Sequence, residues 1–162
     1  MLSGQPVIIL KDTVERTRGH EAQRSNIAAA KAIAAAVRTT LGPRGMDKMI
    51  ISPTGDIVIT NDGATILHEL TIQHPGGKMV VEVAETQDDE VGDGTTTACI
   101  LVGALMEEAE RMLEQEIHPT VIAQGYQMGM EKAVEIVKDL AIAVKPDDVA
   151  TLQKIADTAM TG

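Results

Sequence analysis

A glycine-rich turn followed by three threonines is the segment of this sequence best suited to chemistry. Residues 91–97 read Val-Gly-Asp-Gly-Thr-Thr-Thr, and an apolar stretch follows at once, so the turn opens a predicted buried helix. The first N–H groups of a helix lack partners within it and attract anions. The glycines allow close approach to a ligand, and Asp93 offers the hard carboxylate that Mg²⁺ prefers. The pattern predicts a phosphate site, and the alternative is an ordinary N-cap, Asp93 or Thr95, on a core helix.

Two further loops could contribute to a nucleotide site. Residues 39–45 read Thr-Thr-Leu-Gly-Pro-Arg-Gly at the end of a predicted helix. Such a loop could lie flat against a base or offer backbone groups to a phosphate, and the alternative is a simple helix stop. Residues 60–65 place Asp62 between a strand end and a helix start, where the alternative is an N-cap aspartate. Three loops of this kind in one short chain favour a shared ligand site.

The elements that must position these loops are mostly helices. Apolar residues recur every three or four positions through most of the chain, which predicts helices, and Pro75 with its following glycines is interpreted as a break between two of them. One pair of segments has the character of a β-hairpin, with a turn at 52–55. The sequence therefore predicts a mainly α fold with one hairpin: helices over 21–41, 64–70, 78–89, 95–115 and 118–143, strands over 49–51 and 57–60, and a final helix capped by 146–148.

The hairpin is expected to have an unsatisfied edge. Two strands alone are marginally stable in water. We therefore expect them to join a sheet whose other strands come from elsewhere in the subunit or from a neighbouring subunit.

Composition and charge argue against several classes of protein. The 162 residues carry a formal net charge of −10, which argues against general affinity for nucleic acid. No apolar run approaches the length that crosses a bilayer, and residues 1–12 lack the basic leader and long apolar core of a signal peptide. We therefore expect a cytoplasmic protein with no membrane partner. The single cysteine, Cys99, lies in an apolar helix and is interpreted as a small buried thiol.

Four motifs follow one another along the chain. They are residues 40–49 (Thr-Leu-Gly-Pro-Arg-Gly-Met-Asp-Lys-Met), 60–67 (Thr-Asn-Asp-Gly-Ala-Thr-Ile-Leu), 92–97 (Gly-Asp-Gly-Thr-Thr-Thr) and 118–122 (His-Pro-Thr-Val-Ile). In this order and spacing the chain resembles the group II chaperonins, which comprise the archaeal thermosome and its eukaryotic cytosolic relatives. The resemblance runs from about residue 18 onward, and it implies the N-terminal half of the equatorial, ATP-binding domain of a double-ring folding machine.

The resemblance also implies a domain organisation. Residues 1–17 would be an N-terminal segment, 18–145 the N-terminal half of the equatorial domain, and 146–162 the start of the connection to an intermediate domain. Family members are several times longer, and their apical and C-terminal equatorial parts are absent from these residues. A second aspartate near the nucleotide, supplied in the family by the returning intermediate segment, is absent as well.

The resemblance assigns roles to individual residues. Asp62 would orient or polarise the attacking water, and Asp93 would hold the Mg²⁺ that bridges the phosphates of ATP or ADP. Thr40 would lie near a bound monovalent cation, taken as K⁺. The other nucleotide-binding residues that it implies are Leu41, Gly42, Pro43, Asn61, Gly63, Gly94, Thr95, Thr96, Thr97, Thr161 and Gly162.

On this basis we expect an ATP-dependent chaperone subunit, an ATPase whose hydrolysis of Mg·ATP closes a double-ring chamber around unfolded protein clients. Its partners would be identical or paralogous subunits, and the hairpin would pair with terminal strands of the next subunit. The 162 residues alone are expected to be inactive. The alternative is a non-hydrolysing structural or interaction fragment of such an assembly. A stand-alone kinase is disfavoured because no Gly-x-x-x-x-Gly-Lys-Ser/Thr loop is present.

Overall fold

The computed structural model describes residues 17–52 and 55–160. These residues form six helices and a two-stranded hairpin, which confirms the predicted mainly α fold. Most of the predicted N-terminal segment, two residues of the hairpin turn, and Thr161 and Gly162 lie outside the described residues. In chain order the elements are α1 (Gly19–Arg38), β1 (Lys48–Ile51), β2 (Ile57–Thr60), α2 (Gly63–Glu69), α3 (Pro75–Val91), α4 (Thr95–Glu114), α5 (Pro119–Leu140) and α6 (Val149–Met160).

The hydrophobic core lies among α1, α3 and α4, and the short helix α2 packs against all three. Its side chains are small or aliphatic, so the helices can approach closely. Cys99 is fully buried in this core, and burial raises the pKa of its thiol, which confirms its interpretation as a buried thiol. The buried core residues are Ala30, Val37, Ile66, Leu67, Val80, Ala84 and Cys99.

The closest helix contact in this core joins α1 and α4. A Cβ atom built on Gly103 of α4 would lie 2.3 Å from the Cβ of Ala34 on α1. Real Cβ atoms do not approach so closely, so any side chain at Gly103 must push the two helices apart. The pairing of α1 with α4 therefore depends on glycine at this position.

We expect Gly103→Ala to lower the free energy of unfolding by about 1–3 kcal/mol, the usual cost of overpacking a core. Gly129→Ala on α5 is the matched control, because a Cβ there meets nothing within 4 Å. Alanine at that helical position should stabilise the chain by up to about 1 kcal/mol. Denaturant unfolding of both variants measures the difference, and equal effects would show that the α1–α4 contact is not tight.

Several helix ends differ from the predicted ones. The helix predicted to run to residue 41 ends at Arg38, because Thr40 donates both its N–H, at 3.1 Å, and its hydroxyl, at 2.8 Å, to the carbonyl of Val37. Likewise, α5 ends at Leu140 rather than at residue 143. These shifts do not change which elements flank the loops.

The break between the two helices lies at residues 70–74, and α3 begins at Pro75 and not at the predicted residue 78. Proline suits the first position of a helix, where its missing N–H would have no intrahelical partner. The ring of His74 caps this helix start, with Nδ1 accepting from the N–H of Gly76 at 3.1 Å. The His74 Nε2 also lies 2.9 Å from the hydroxyl of Ser25, which ties the start of α3 to α1.

The hairpin is antiparallel, with Met49 opposite Ile59 and Ile51 opposite Ile57. These four side chains share one face and are exposed, while Ile50 on the other face packs against the core. Among the described residues the sheet has two strands, so the expected pairing with further strands stays a prediction.

The last two helices lie at the edge of the molecule. Ile122 is the buried residue of α5, and Tyr126 donates its hydroxyl to the carbonyl of Leu105 on α4 at 2.6 Å. Asp148 caps α6 by accepting from the N–H of Thr151 at 3.1 Å and from its hydroxyl at 2.7 Å, which confirms the predicted cap. None of the described helices combines the length and apolar character that a membrane span requires.

Candidate functional site

A cavity of about 810 Å³ lies where the three loops singled out in the sequence meet. The structure brings ten of the predicted site residues to its wall, from the α1–β1 loop, the start of α2 and the start of α4. Pro43 and Gly63 are near it in the chain without lining it, and Thr161 and Gly162 lie outside the described residues. The ten lining residues are Thr40, Leu41, Gly42, Asn61, Asp62, Asp93, Gly94, Thr95, Thr96 and Thr97.

The start of α4 is open toward this cavity. Its N-cap is Gly94, which has no side chain, so neither Asp93 nor Thr95 acts as the ordinary side-chain cap that the sequence left as an alternative. Gly92 and Gly94 have φ angles of +72° and +80°, a backbone conformation that favours glycine. The uncapped N–H groups and the positive end of the helix dipole are therefore available to an anion.

Asp93 lies exposed in the turn between α3 and α4. Its Oδ1 accepts from the N–H of Gly94 at 2.7 Å. Among the described residues, Oδ2 has no hydrogen-bond partner, which leaves one carboxylate oxygen for a cation beside the helix start.

Asp62 connects the start of α2 to the start of α4. Its Oδ2 accepts from the N–H of Thr65 at 2.8 Å and from the Thr65 hydroxyl at 2.7 Å, so Asp62 is the N-cap that the sequence offered as an alternative. Its Oδ1 accepts from the hydroxyl of Thr95 at 3.1 Å. Asp62 therefore has a structural role and also faces the cavity, and the two readings of the sequence are compatible.

Hydrogen bonding keeps Asp62 ionised. Partial burial acts to raise the pKa of its carboxyl group, but the hydrogen bonds from Thr65 and Thr95 together outweigh burial and lower this pKa below the ordinary value of 3.8. A carboxylate with a lowered pKa is a weak base, so it stays ionised as a hydrogen-bond acceptor and does not readily take up a proton. The geometry suits a group that orients a water molecule.

Gly63 allows these two helix starts to touch. A Cβ on Gly63 would lie 2.6 Å from Oγ1 and 2.9 Å from the backbone nitrogen of Thr96. Only glycine fits this contact, which places Asp62 within hydrogen-bonding distance of Thr95. The role of Gly63 in the structure is thus to bring two loops together.

The α1–β1 loop forms a compact wall. Thr40 is buried, and Gly42 has a φ angle of +83°. The N–H of Gly45 donates to the carbonyl of Gly42 at 2.7 Å, and a Cβ on Gly45 would lie 2.1 Å from the carbonyl oxygen of Thr40. The loop is therefore a folded turn, and more than a simple helix stop.

One wall of the cavity was missed by the sequence reasoning. Helix α6 contributes Thr151, Lys154, Ile155 and Thr158, whose spacings of three, one and three place them on one helix face. Ala159 and Met160 extend this face. Lys154 is the basic side chain among the described residues that line the cavity. The helical period could have shown that these residues lie on one side of α6, but it could not have shown that this side borders the cavity.

The donor set fits Mg²⁺ bound together with a phosphate. Among the described residues no three His, Cys, Asp or Glu side chains are grouped to hold a metal alone. The cavity has two carboxylates, Asp62 and Asp93. Mg²⁺ is commonly bound by one or two carboxylates together with substrate phosphates and water, so these residues fit that ion.

Comparison with known proteins shows which family the sequence is similar to. The model of the TCP-1/cpn60 chaperonin family matches residues 33–162. The chain is 59% identical over 161 residues to the thermosome subunit beta of Archaeoglobus fulgidus, which covers 99% of the chain and 30% of the relative. It is 60% identical over 159 residues to a thermosome subunit of Methanopyrus kandleri, covering 98% of the chain and 29% of the relative. The thermosome subunit alpha of Halobacterium salinarum is 56% identical over 161 residues, which are 99% of the chain and 29% of the relative.

The matched part of these relatives is short. The chain spans about 30% of the length of the curated relatives that it matches. Within that part the similarity is continuous and includes every loop of the cavity. Because the family model covers most of the chain and the thermosome subunits align along nearly all of it, the chain belongs to the TCP-1/cpn60 chaperonin family, as its resemblance to the group II chaperonins predicted.

Proposed function

We propose that these residues form the N-terminal half of an equatorial domain and bind and hydrolyse Mg·ATP within an intact chaperonin subunit. The observation that carries the proposal is the juxtaposition of an uncapped helix start with the carboxylates of Asp62 and Asp93 in one cavity. Phosphoryl transfer to water needs charge neutralisation and a positioned nucleophile more than a covalent intermediate. This site offers groups for both.

The phosphates would lie at the start of α4, with its N–H groups and the hydroxyls of Thr95–Thr97 as donors. Asp93 would hold Mg²⁺ through its outward oxygen. When bound, this ion neutralises charge on the phosphate oxygens. Lys154 adds a positive charge from the opposite wall.

Asp62 would orient the attacking water. The water oxygen would bond to the terminal phosphorus as the bond from that phosphorus to the bridging oxygen breaks. The water's protons would pass to the phosphate product and to solvent, and ADP and phosphate would leave. Because the pKa of Asp62 is lowered, its carboxyl group is already ionised and accepts a hydrogen bond from this water. Asn61 and Gly63 flank it in the chain.

Thr40 is the residue we propose to lie beside a monovalent cation such as K⁺. Its buried hydroxyl donates its proton to the carbonyl of Val37. The lone pairs of the hydroxyl oxygen therefore remain for a cation. Leu41, Gly42 and Pro43 would line the nucleotide from the same loop.

We further propose that the subunit acts as a cytoplasmic protein in a double ring of identical or paralogous copies that encloses unfolded protein. The exposed apolar face of the hairpin supports a contact with another subunit, because such faces are rarely left in water. Hydrolysis would drive closure of the chamber.

A second candidate is a structural role in such an assembly without hydrolysis. The observation that favours it is the apolar surface of α5 and α6, where Val137, Leu140 and Leu152 are exposed and fit packing against other chain segments. Such packing requires no reaction at the cavity.

Native mass spectrometry of the intact protein, with and without Mg·ATP, tests the proposal. We expect a ring of subunits, each several times heavier than the 17.2 kDa of this chain, that binds nucleotide and converts it to ADP. A ring that binds no nucleotide would support the purely structural candidate. A monomer of 17.2 kDa without bound nucleotide would refute the ATPase.

A further inference from the structure

The core-facing side of α3 ends on a polar residue. Gly77, Val80 and Ala84 are buried and follow one another at spacings of three and four, and the next position on this face is Gln87. Gln87 is half-buried. The amide of Gln87 needs a hydrogen-bond partner, and at this partly accessible end of the face the partner is either water or a neighbouring backbone group.

That partner is the turn that carries Asp93. Nε2 of Gln87 donates to the backbone carbonyl oxygen of Asp93 at 2.8 Å. The bond fixes the amide orientation, because only the nitrogen carries protons that can face a carbonyl oxygen. A Cβ on Gly94 would lie 3.5 Å from the same nitrogen. The Gln87 amide thus contacts the peptide that joins Asp93 to Gly94.

Backbone hydrogen bonds fix both ends of this turn, from the N–H of Gly92 to the carbonyl of Asp88 at 2.8 Å and from the N–H of Ala98 to the carbonyl of Gly94 at 2.9 Å. The contact with Gln87 holds the part between them. Asp93 lies between Gly92 and Gly94, both with positive φ, and glycine leaves the backbone free to adopt many conformations. Within the described ranges the Asp93 carboxylate bonds only to the N–H of Gly94, so it moves with the turn. The Gln87 bond connects the middle of this turn to a helix of the core.

We propose that Gln87 is a positioning residue that sets the affinity of Asp93 for Mg²⁺. The inference rests on the proposed function, in which Asp93 holds that ion. Gln87 acts through the backbone of Asp93 and touches neither ion nor nucleotide. Loss of its hydrogen bond widens the range of positions open to the carboxylate and thereby weakens a site that demands strict geometry.

The test is Gln87→Met in the intact protein. Methionine keeps the length and helix propensity of glutamine and removes the N–H donor. Binding of a fluorescent ADP analogue is measured during a Mg²⁺ titration and again in EDTA. We expect the Mg²⁺ concentration for half-maximal binding to rise about 10-fold, the lower end of the effect of losing a partner that orients a metal ligand. Affinity in EDTA should be unchanged.

Two companion variants make the result decisive. Gln124→Met, at an exposed glutamine on α5, should titrate as the unchanged protein. Asp93→Asn tests the metal site itself. Suppose that Asp93→Asn loses its Mg²⁺ dependence. If Gln87→Met then titrates normally, or if Gln87→Met weakens binding as much in EDTA as with Mg²⁺, the positioning role is refuted and the metal site stands. If Asp93→Asn keeps the normal Mg²⁺ dependence, the metal site and the role of Gln87 are both refuted.

Discussion

Asp62→Ala in the intact subunit is expected to lower the rate of ATP hydrolysis at least about 100-fold while nucleotide stays bound. The carboxylate faces the cavity beside the start of α4, where the terminal phosphate of ATP would lie. Without it, the attacking water loses its orienting acceptor. Nucleotide affinity should persist, because the α4 donors, the proposed Mg²⁺ ligand and Lys154 remain.

Asp62 also caps α2, so alanine alone would confuse two effects. Losing the cap should cost about 1 kcal/mol of stability. Asp62→Asn separates the roles, because its amide oxygen can still accept from the N–H of Thr65 while its charge is lost. We expect both variants to lose hydrolysis and only alanine to unfold more readily.

Single-turnover hydrolysis, equilibrium nucleotide binding and thermal unfolding together read out these variants. If the asparagine variant hydrolysed ATP at the normal rate, the carboxylate would have no part in the reaction. If either variant lost nucleotide binding at normal stability, Asp62 would be a binding residue, and the role given to it here would be wrong.

The pKa of Asp62 sets the pH range over which this residue works. Its folded-state pKa lies below the ordinary value of 3.8, so the ionised form is favoured by folding. Its contribution to stability is present above the unfolded value and is lost as the pH falls through the lowered folded value. Asp62 therefore stays charged at neutral pH, and any loss of activity between neutral and mildly acidic pH must arise from another group.

Much of the site could be predicted from the sequence because its loops have strong local signals. The pair of glycines around Asp93 was predicted to allow close approach to a ligand, and in the structure both adopt positive φ. Asp62 stood between a strand and a helix, where an aspartate is a ready acceptor for free N–H groups. The structure then shows why the two loops form one site, because Gly63 permits the start of α2 to contact the start of α4.

The parts that could not be predicted depend on long-range packing. Periodicity identified α6 as a helix with one apolar face, but it did not indicate that Lys154 borders the cavity. Gln87 looked like one of many polar residues in α3, and only its position after Val80 and Ala84 marks it as unusual. Pro75 was assigned to the break because proline occurs both after helix ends and at helix starts. The ring of His74 caps the helix start, so Pro75 is the first residue of α3.

The proposed metal site and the proposed water site differ in how their carboxylates are held. Asp62 is held by bonds to Thr65 and Thr95, whereas the Asp93 carboxylate is held by one bond within its own turn. A group whose geometry is fixed suits the positioning of a water molecule. The position of the Asp93 carboxylate depends on the placement of its turn, which the hydrogen bond from Gln87 connects to α3.

Asp93→Ala is expected to weaken nucleotide binding in the presence of Mg²⁺ by at least about 10-fold, because losing the proposed ligand should cost no less than losing a residue that orients it. In EDTA the variant should bind nucleotide as tightly as the unchanged protein or more tightly, because the substitution removes a negative charge from beside the phosphates. Calorimetry of ADP binding with Mg²⁺ and in EDTA measures both affinities.

Asp89→Asn is the matched control, because it removes an acidic charge from the exposed end of α3 without touching the cavity. Its effect should be small and equal in both conditions, as expected of a screened surface charge. Equal losses for Asp93→Ala with Mg²⁺ and in EDTA would mean that the residue shapes the turn and does not hold the ion. Unchanged affinity in both conditions would move the metal site to Asp62, the other carboxylate of the cavity, and the assignment of water to that residue would fall with it.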